Sequence, residues 1–189
     1  MSAVLFWGPS DAWGQAEAEA PEEAIVVYLV RHAETADNGT PDPPLSVAGQ
    51  IRVQTVRAIL GNAGLTHVHS TDYQRTRETA RPIAEEAGVA VSPYDPSDLT
   101  AFAEELRSTP GRHLVAGHSN TTPQLVEALG GESQGEIDEM EYDRLYIVVL
   151  PPGGRAVTTL LRFGEPYVPG QDFGLRASPG PPSPRGSGS

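Results

Sequence analysis

Two amino acids are absent from this chain. There is no cysteine, which excludes a disulfide framework, a thiolate-ligated zinc and a cysteine nucleophile. There is no lysine either, since all 13 basic residues are arginine. That excludes a Schiff-base enzyme, a Walker-type phosphate loop and a kinase built on a phosphate-binding lysine. Positive charge is in short supply: 25 acids against those 13 arginines leave a formal net charge of −12, which argues against a nucleic-acid partner. No apolar run is long enough to span a bilayer, so no membrane partner is expected.

The length of 189 residues suits one domain. Residues 164–189 hold six Gly, six Pro and four Ser, a composition that cannot bury enough apolar surface to offset its chain entropy. Residues 1–24 carry five acids and no base. The expected organisation is therefore an acidic leader over 1–24, a folded unit over 25–163 and a Gly/Pro/Ser-rich tail over 164–189. Ala16-Glu17-Ala18 and Ala18-Glu19-Ala20 fit a small-x-small cleavage pattern. Two readings of the leader follow: a disordered acidic segment of a cytoplasmic protein, or the remnant of an export signal that starts upstream.

Between these ends, strand and helix signals alternate. Ala24 to Val30 is a β-branched, apolar run that reads as a strand buried on both faces. Ser46 is placed to cap a helix from Val47 to about Asn62, with Ile51, Val56, Ile59 and Leu60 toward the core. A short strand over His67–Ser70 precedes a helix from Tyr73 to Ala87 that Gly88 ends. Val89–Tyr94 reads as a strand, Ser97 as the cap of a helix over Asp98–Arg107, and Arg112–Ala116 as a further strand. A helix over Thr122–Leu129 follows, then two strands, Arg144–Leu150 and Ala156–Phe163, joined by a Pro-Pro-Gly-Gly hairpin signal. The order predicts an α/β sandwich whose mainly parallel sheet has an antiparallel edge. Ligands of such sheets bind beyond the carboxyl ends of the strands.

Two strands end there in polar sequence, Arg31-His32 and Gly117-His118-Ser119-Asn120. Arginine offers a planar fork that matches phosphate or carboxylate, and a histidine beside it is disfavoured as a cation and kept nucleophilic. Alone, the pair reads more readily as a charged strand end than as a catalytic one. Arg75, in the first turn of a helix, and His118, before another, add two cationic groups at the same sheet edge. His67 and His69 share one strand face, either as a metal pair or as edge or core histidines. His113 is expected at the surface. Arg77 and Arg81 are expected on a solvated helix face, paired in spacing with each other rather than with a carboxylate. Tyr73 is expected to line the site or to pack.

Arg31-His32-Ala33-Glu34-Thr35 with Asn38, Leu45-Ser46-Val47-Ala48-Gly49, Ser70 to Ala80 (STDYQRTRETA) and Gly117-His118-Ser119 stand in order along 25–163. These motifs resemble those of the histidine phosphatase superfamily, also called phosphoglycerate-mutase-like, in its small phosphatase branch. Ala33 stands where the signature has Gly. The resemblance implies a three-layer α/β/α sandwich with a mixed, mainly parallel sheet. It implies a phosphatase in which His32 attacks phosphorus and forms a phosphohistidine, while Arg31, Arg75 and His118 hold the equatorial oxygens. Asn38, Ser119 and Asn120 would contact substrate, and no metal or other cofactor is implied. The substrate would be a phosphorylated small molecule or a phosphoprotein. Three alternatives remain: a phosphoglycerate mutase, a phosphohistidine-protein phosphatase, and a non-catalytic phosphate-binding protein.

The general acid is open. The mutase branch carries a Glu in an insertion that this chain lacks, and Ser119-Asn120 stand where the acid phosphatase branch has an Asp after its second histidine. Asp98, Glu104 and Glu141 are the candidates, the last from an acidic run that also holds Glu139 and Asp143. A good leaving group, such as the imidazole of a phosphohistidine, would need none.

Overall fold

A computed structural model describes residues 23–170; the leader through residue 22 and the tail from 171 lie outside the described residues. The elements run β1 (Ile25–Arg31), α1 (Val47–Leu60), β2 (His67–Ser70), α2 (Gln74–Ala87), β3 (Val91–Pro93), α3 (Leu99–Ser108), β4 (Arg112–Gly117), α4 (Thr121–Ala128), β5 (Arg144–Leu150) and β6 (Val157–Arg162). One sheet has the order β3-β2-β4-β1-β5-β6. The first four strands in that order pair in parallel, and the β5–β6 hairpin joins β1 antiparallel.

Strand alternation sorts the core into two layers. Val27 and Leu29 of β1 and Val115 of β4 face α3 and α4, packing on Phe102, Leu106, Leu125 and the fully buried Tyr146. Val30 and Leu114 face the other way, onto Val56 and Leu60 of α1 and Ile83 and Ala84 of α2. The result is the expected three-layer α/β/α sandwich. No helix among the described residues is long and apolar enough to cross a membrane.

Several local expectations are corrected. Helix α1 buries Gly49, Arg52, Val53, Val56 and Leu60, while Ile51 and Ile59 are 64% and 46% exposed. Its rotation is set by tertiary contacts. A Cβ at Gly49 would lie 2.2 Å from the Glu34 carbonyl oxygen, and Arg52 is tied to the Glu34 carboxylate and to the carbonyls of Phe163 and Glu165. The cap of α3 is Asp98, whose Oδ1 accepts from the Ala101 amide at 3.0 Å, whereas the Ser97 hydroxyl donates to Asp95. Strand β3 is shorter than expected. His113 is fully buried instead of being at the surface. Its ring stacks on His67 at 4.5 Å, its Nδ1 lies 3.2 Å from Nε2 of His69, and its Nε2 bonds the Thr109 carbonyl at 2.9 Å. Arg77 does meet a carboxylate, that of Asp72. Beyond Phe163 the chain stays attached as far as Tyr167, whose amide donates to Asp143.

Candidate active site

The pairing register builds the site. Strands β1 and β4 lie side by side with Arg31 opposite Gly117, and the His32 amide donates to the Gly117 carbonyl at 2.9 Å. The next residues on the two strands are therefore His32 and His118, with ring centroids 5.5 Å apart. Gly117 has no room for a side chain, since a Cβ would sit 2.9 Å from the Tyr94 hydroxyl and 3.0 Å from Thr122 Oγ1.

His32 is buried, at 7% exposure. Its Nδ1 lies 2.9 Å from the carbonyl oxygen of Ala33. A carbonyl only accepts, so Nδ1 carries the hydrogen and Nε2 keeps its lone pair. Burial lowers the ring's pKa to about 3; the Ala33 carbonyl opposes this, and Arg31, His118 and Arg75 push it down further. At neutral pH the imidazole is uncharged.

Arg31 is buried and held at one end. Its Nη1 reaches the carbonyls of Asp138, Glu139 and Glu141 at 2.9, 2.7 and 3.0 Å, and its guanidinium carbon lies 4.1 Å from the Tyr142 ring centroid. Its buried Nε has no partner among the described residues. Arg75, in the first turn of α2, lies over the Tyr73 ring at 4.3 Å and bonds Asp42 Oδ1 at 3.2 Å.

His118 is fixed from the β2 side. Its Nε2 lies 3.0 Å from Thr71 Oγ1, which lies 2.8 Å from Thr76 Oγ1, and the Thr76 hydroxyl donates to the Tyr73 carbonyl at 2.8 Å. Thr71 then donates to Thr76 and accepts from the Nε2 hydrogen of His118, leaving Nδ1 as the basic nitrogen. Tyr73 meets the ring edge-on at 5.1 Å. Burial lowers the pKa to about 4, with Arg75 and Arg31 adding to the effect and Asp42 opposing it.

His32, Arg75, His118, Tyr73, Ser119 and Asn120 help to line an open cleft of about 460 Å³, and the buried Arg31 is not among its lining residues. No Asp or Glu lines it among the described residues. Asn38 is not brought here; its Oδ1 accepts from the Thr40 amide and hydroxyl in an exposed turn. None of the three candidate acids lines the cleft. Asp98 caps α3, Glu104 is exposed on that helix, and Glu141 is buried between Arg144 and Arg162. Reading the residues in order missed Thr71, Asp42 and Tyr142. The first lies within a matched motif, but the other two reach the site from distant stretches and carried no spacing signal.

A family model described as histidine phosphatase superfamily (branch 1) matches residues 27–96. "Probable phosphoglycerate mutase GpmB" of Serratia proteamaculans is 42% identical over 142 residues, which is 69% of this chain and 66% of that protein. The chain belongs to the histidine phosphatase superfamily. The relative of the same name from Escherichia fergusonii is 33% identical over 146 residues, with the same shares covered. The chain thus spans 66% of the length of these curated relatives. Among solved structures, the protein histidine phosphatase SixA complexed with tungstate superposes with a TM-score of 0.56 at 18% identity, covering 72% of this chain and 96% of that one. A mycobacterial glucosyl-3-phosphoglycerate phosphatase gives 0.56 at 15%, covering 74% and 98%. At these identities the likeness is one of fold. The superfamily's shared chemistry is phosphoryl transfer through a histidine. In this chain Arg31, His32 and Arg75 fall inside the matched span, and His118 lies beyond it.

Proposed function

We propose that this protein is a phosphatase that hydrolyses its substrate through a phosphohistidine at Nε2 of His32. The observation that carries the reading is the Nδ1 contact to the Ala33 carbonyl at 2.9 Å, which leaves an uncharged ring with its nucleophilic nitrogen free. Attack forms the N–P bond as the P–O or P–N bond to the leaving group breaks. The Nδ1 hydrogen, held by the carbonyl, supports the positive charge that the ring acquires. Arg31 and Arg75 neutralise the equatorial oxygens, a role that fixed cations fill without reorganising, and His118, uncharged in the free protein, joins them once it takes up a proton at Nδ1 beside the bound phosphoryl group. Water then attacks phosphorus, the N–P bond breaks, and inorganic phosphate departs.

A cleft wall without a carboxylate favours leaving groups that depart without help from a strong general acid. Aryl phosphates and phosphorylated imidazoles are of that kind. The fold shared with SixA, named a protein histidine phosphatase, supports the same preference. The test is turnover of 4-nitrophenyl phosphate in the presence of a chelator, with rapid quenching of a labelled substrate into alkaline detergent. The expected result is acid-labile label on the wild-type chain and none on His32→Ala. Turnover that persists in His32→Ala would refute the reading.

A further inference from the structure

A second cleft, of about 470 Å³, meets the first at Ser119 and Asn120, which line both. Its remaining wall includes Gln124, Glu127, Ser133 and Glu136. Hydroxyls, amides and two carboxylates are present, and no arginine or histidine is among its lining residues. Glu127 accepts a hydrogen bond from Ser133 at 2.6 Å, which pins one of the two carboxylates. Glu136 is exposed at the rim. The nearby cations are held elsewhere: the buried Arg31 by the carbonyls of Asp138, Glu139 and Glu141, and Arg75, on the wall of the first cleft, by Asp42.

We infer that this second cleft is the leaving-group subsite and that it selects an uncharged polar leaving group against one bearing a second anion. The inference rests on the phosphatase reading and names the substrate class for it. A leaving group bound beside His32 extends past Ser119 and Asn120, the residues shared by the two clefts. A carboxylate placed there meets Glu127 and Glu136, with no counter-cation on the wall. A neutral amide or hydroxyl meets donors and acceptors that it can satisfy. Phosphoglycerate, with its carboxylate, falls on the disfavoured side.

An isosteric pair tests this: 4-carbamoylphenyl phosphate and 4-carboxyphenyl phosphate, alongside 4-nitrophenyl phosphate as the reference. One like-charge contact at a partly exposed site corresponds to about a tenfold change in binding. The carbamoyl compound is expected to show kcat/KM at least about tenfold higher, and Glu136→Arg is expected to narrow that ratio. Comparing one ratio between two proteins removes the small difference in leaving-group acidity. A ratio near one, an inverted ratio, or a wide ratio that Glu136→Arg leaves untouched overturns the subsite while the reference turnover keeps the phosphatase reading standing. Loss of reference turnover in the wild type overturns both.

Discussion

The Asp42 carboxylate bridges the Arg75 guanidinium, 3.2 Å from Nη1, and the Gln74 amide at the start of α2, at 2.9 and 3.0 Å. A loop residue thereby orients the arginine that the helix presents to the cleft. Arg75→Ala is expected to lower kcat/KM by about 100-fold or more, the scale of losing one fixed donor to developing charge. Arg77, paired with exposed Asp72, is expected to matter little. Asp42→Asn keeps an acceptor and should raise KM by only about threefold; Asp42→Ala should raise it further, since it frees Arg75 and uncaps the Gln74 amide. Steady-state kinetics on 4-nitrophenyl phosphate checks the series. Equal losses at Arg75 and Arg77 would show that the assignment of the phosphate-binding arginine is mistaken.

The two cleft histidines are expected to set the acid limb of activity. With His32 lowered to about 3 and His118 to about 4, neither gains a proton until well below the ordinary histidine range. After allowance for the substrate's own ionisation near about pH 6, kcat/KM should show no enzyme inflection near pH 6.5 and should fall only below about pH 5. An inflection of the free enzyme near 6.5 would mean that the nucleophile is not desolvated as described.

The buried His69–His113 pair makes stability depend on pH. His69 is held uncharged with its pKa lowered to about 4, by burial first and by His113 and His67 next. The unfolded chain binds this proton near about pH 6.5 and the folded chain does not. Stability is therefore full above about pH 6.5, falls as pH drops toward 4, and levels off below it. The upper bound is about 3.5 kcal/mol from this ring, by the conversion of about 1.4 kcal/mol per pKa unit. Urea melts at pH 7.5 and 4.5 should show a lower midpoint at the acid pH. His69→Leu should be less stable at pH 7.5, because His113 Nδ1 loses its partner, yet should lose less on acidification. An unchanged acid loss in His69→Leu would assign the effect to other groups.

The layered fold was legible because its signals are local. The β-branched run of β1, the Ser46 cap and the left-handed Gly88 at the end of α2, with φ +70°, each act over a few residues. That His32, Arg75 and His118 share one cleft could be anticipated for a related reason: two strand ends and a helix start carry them, and parallel pairing brings those ends to one edge. What could not be read depends on contacts across the chain. Which face α1 buries follows from Gly49 lying against Glu34 and from Arg52 reaching Phe163. His113 looked like a strand-edge residue because nothing near it in sequence shows that α3 and the other two histidines cover it. Carboxylates were the hardest case, since an acidic run looks the same whether solvated or buried.

Glu141 illustrates that last case and yields a prediction. It is 3% exposed and accepts from Arg144 through both oxygens, at 2.7 and 3.0 Å, as well as from Arg162 and from the Asp138 amide. Burial raises its pKa, but the hydrogen bonds from Arg144, Arg162 and the Asp138 amide outweigh it and hold the carboxyl below the usual range. A group so held gives up no proton to a leaving alcohol at neutral pH, because it has none to give. Its carbonyl, with those of Asp138 and Glu139, instead grips Arg31 Nη1. Glu141→Ala should therefore cost about 3–5 kcal/mol of stability, by leaving Arg144 buried without its counter-charge. Where the variant stays folded, KM should rise as Arg31 loosens, and to the same degree for good and poor leaving groups. An acid would behave differently: kcat would fall selectively for alkyl substrates and the melting temperature would hold. Thermal melts together with a leaving-group series decide between the two, and a selective kcat loss at unchanged stability would restore Glu141 as the proton donor.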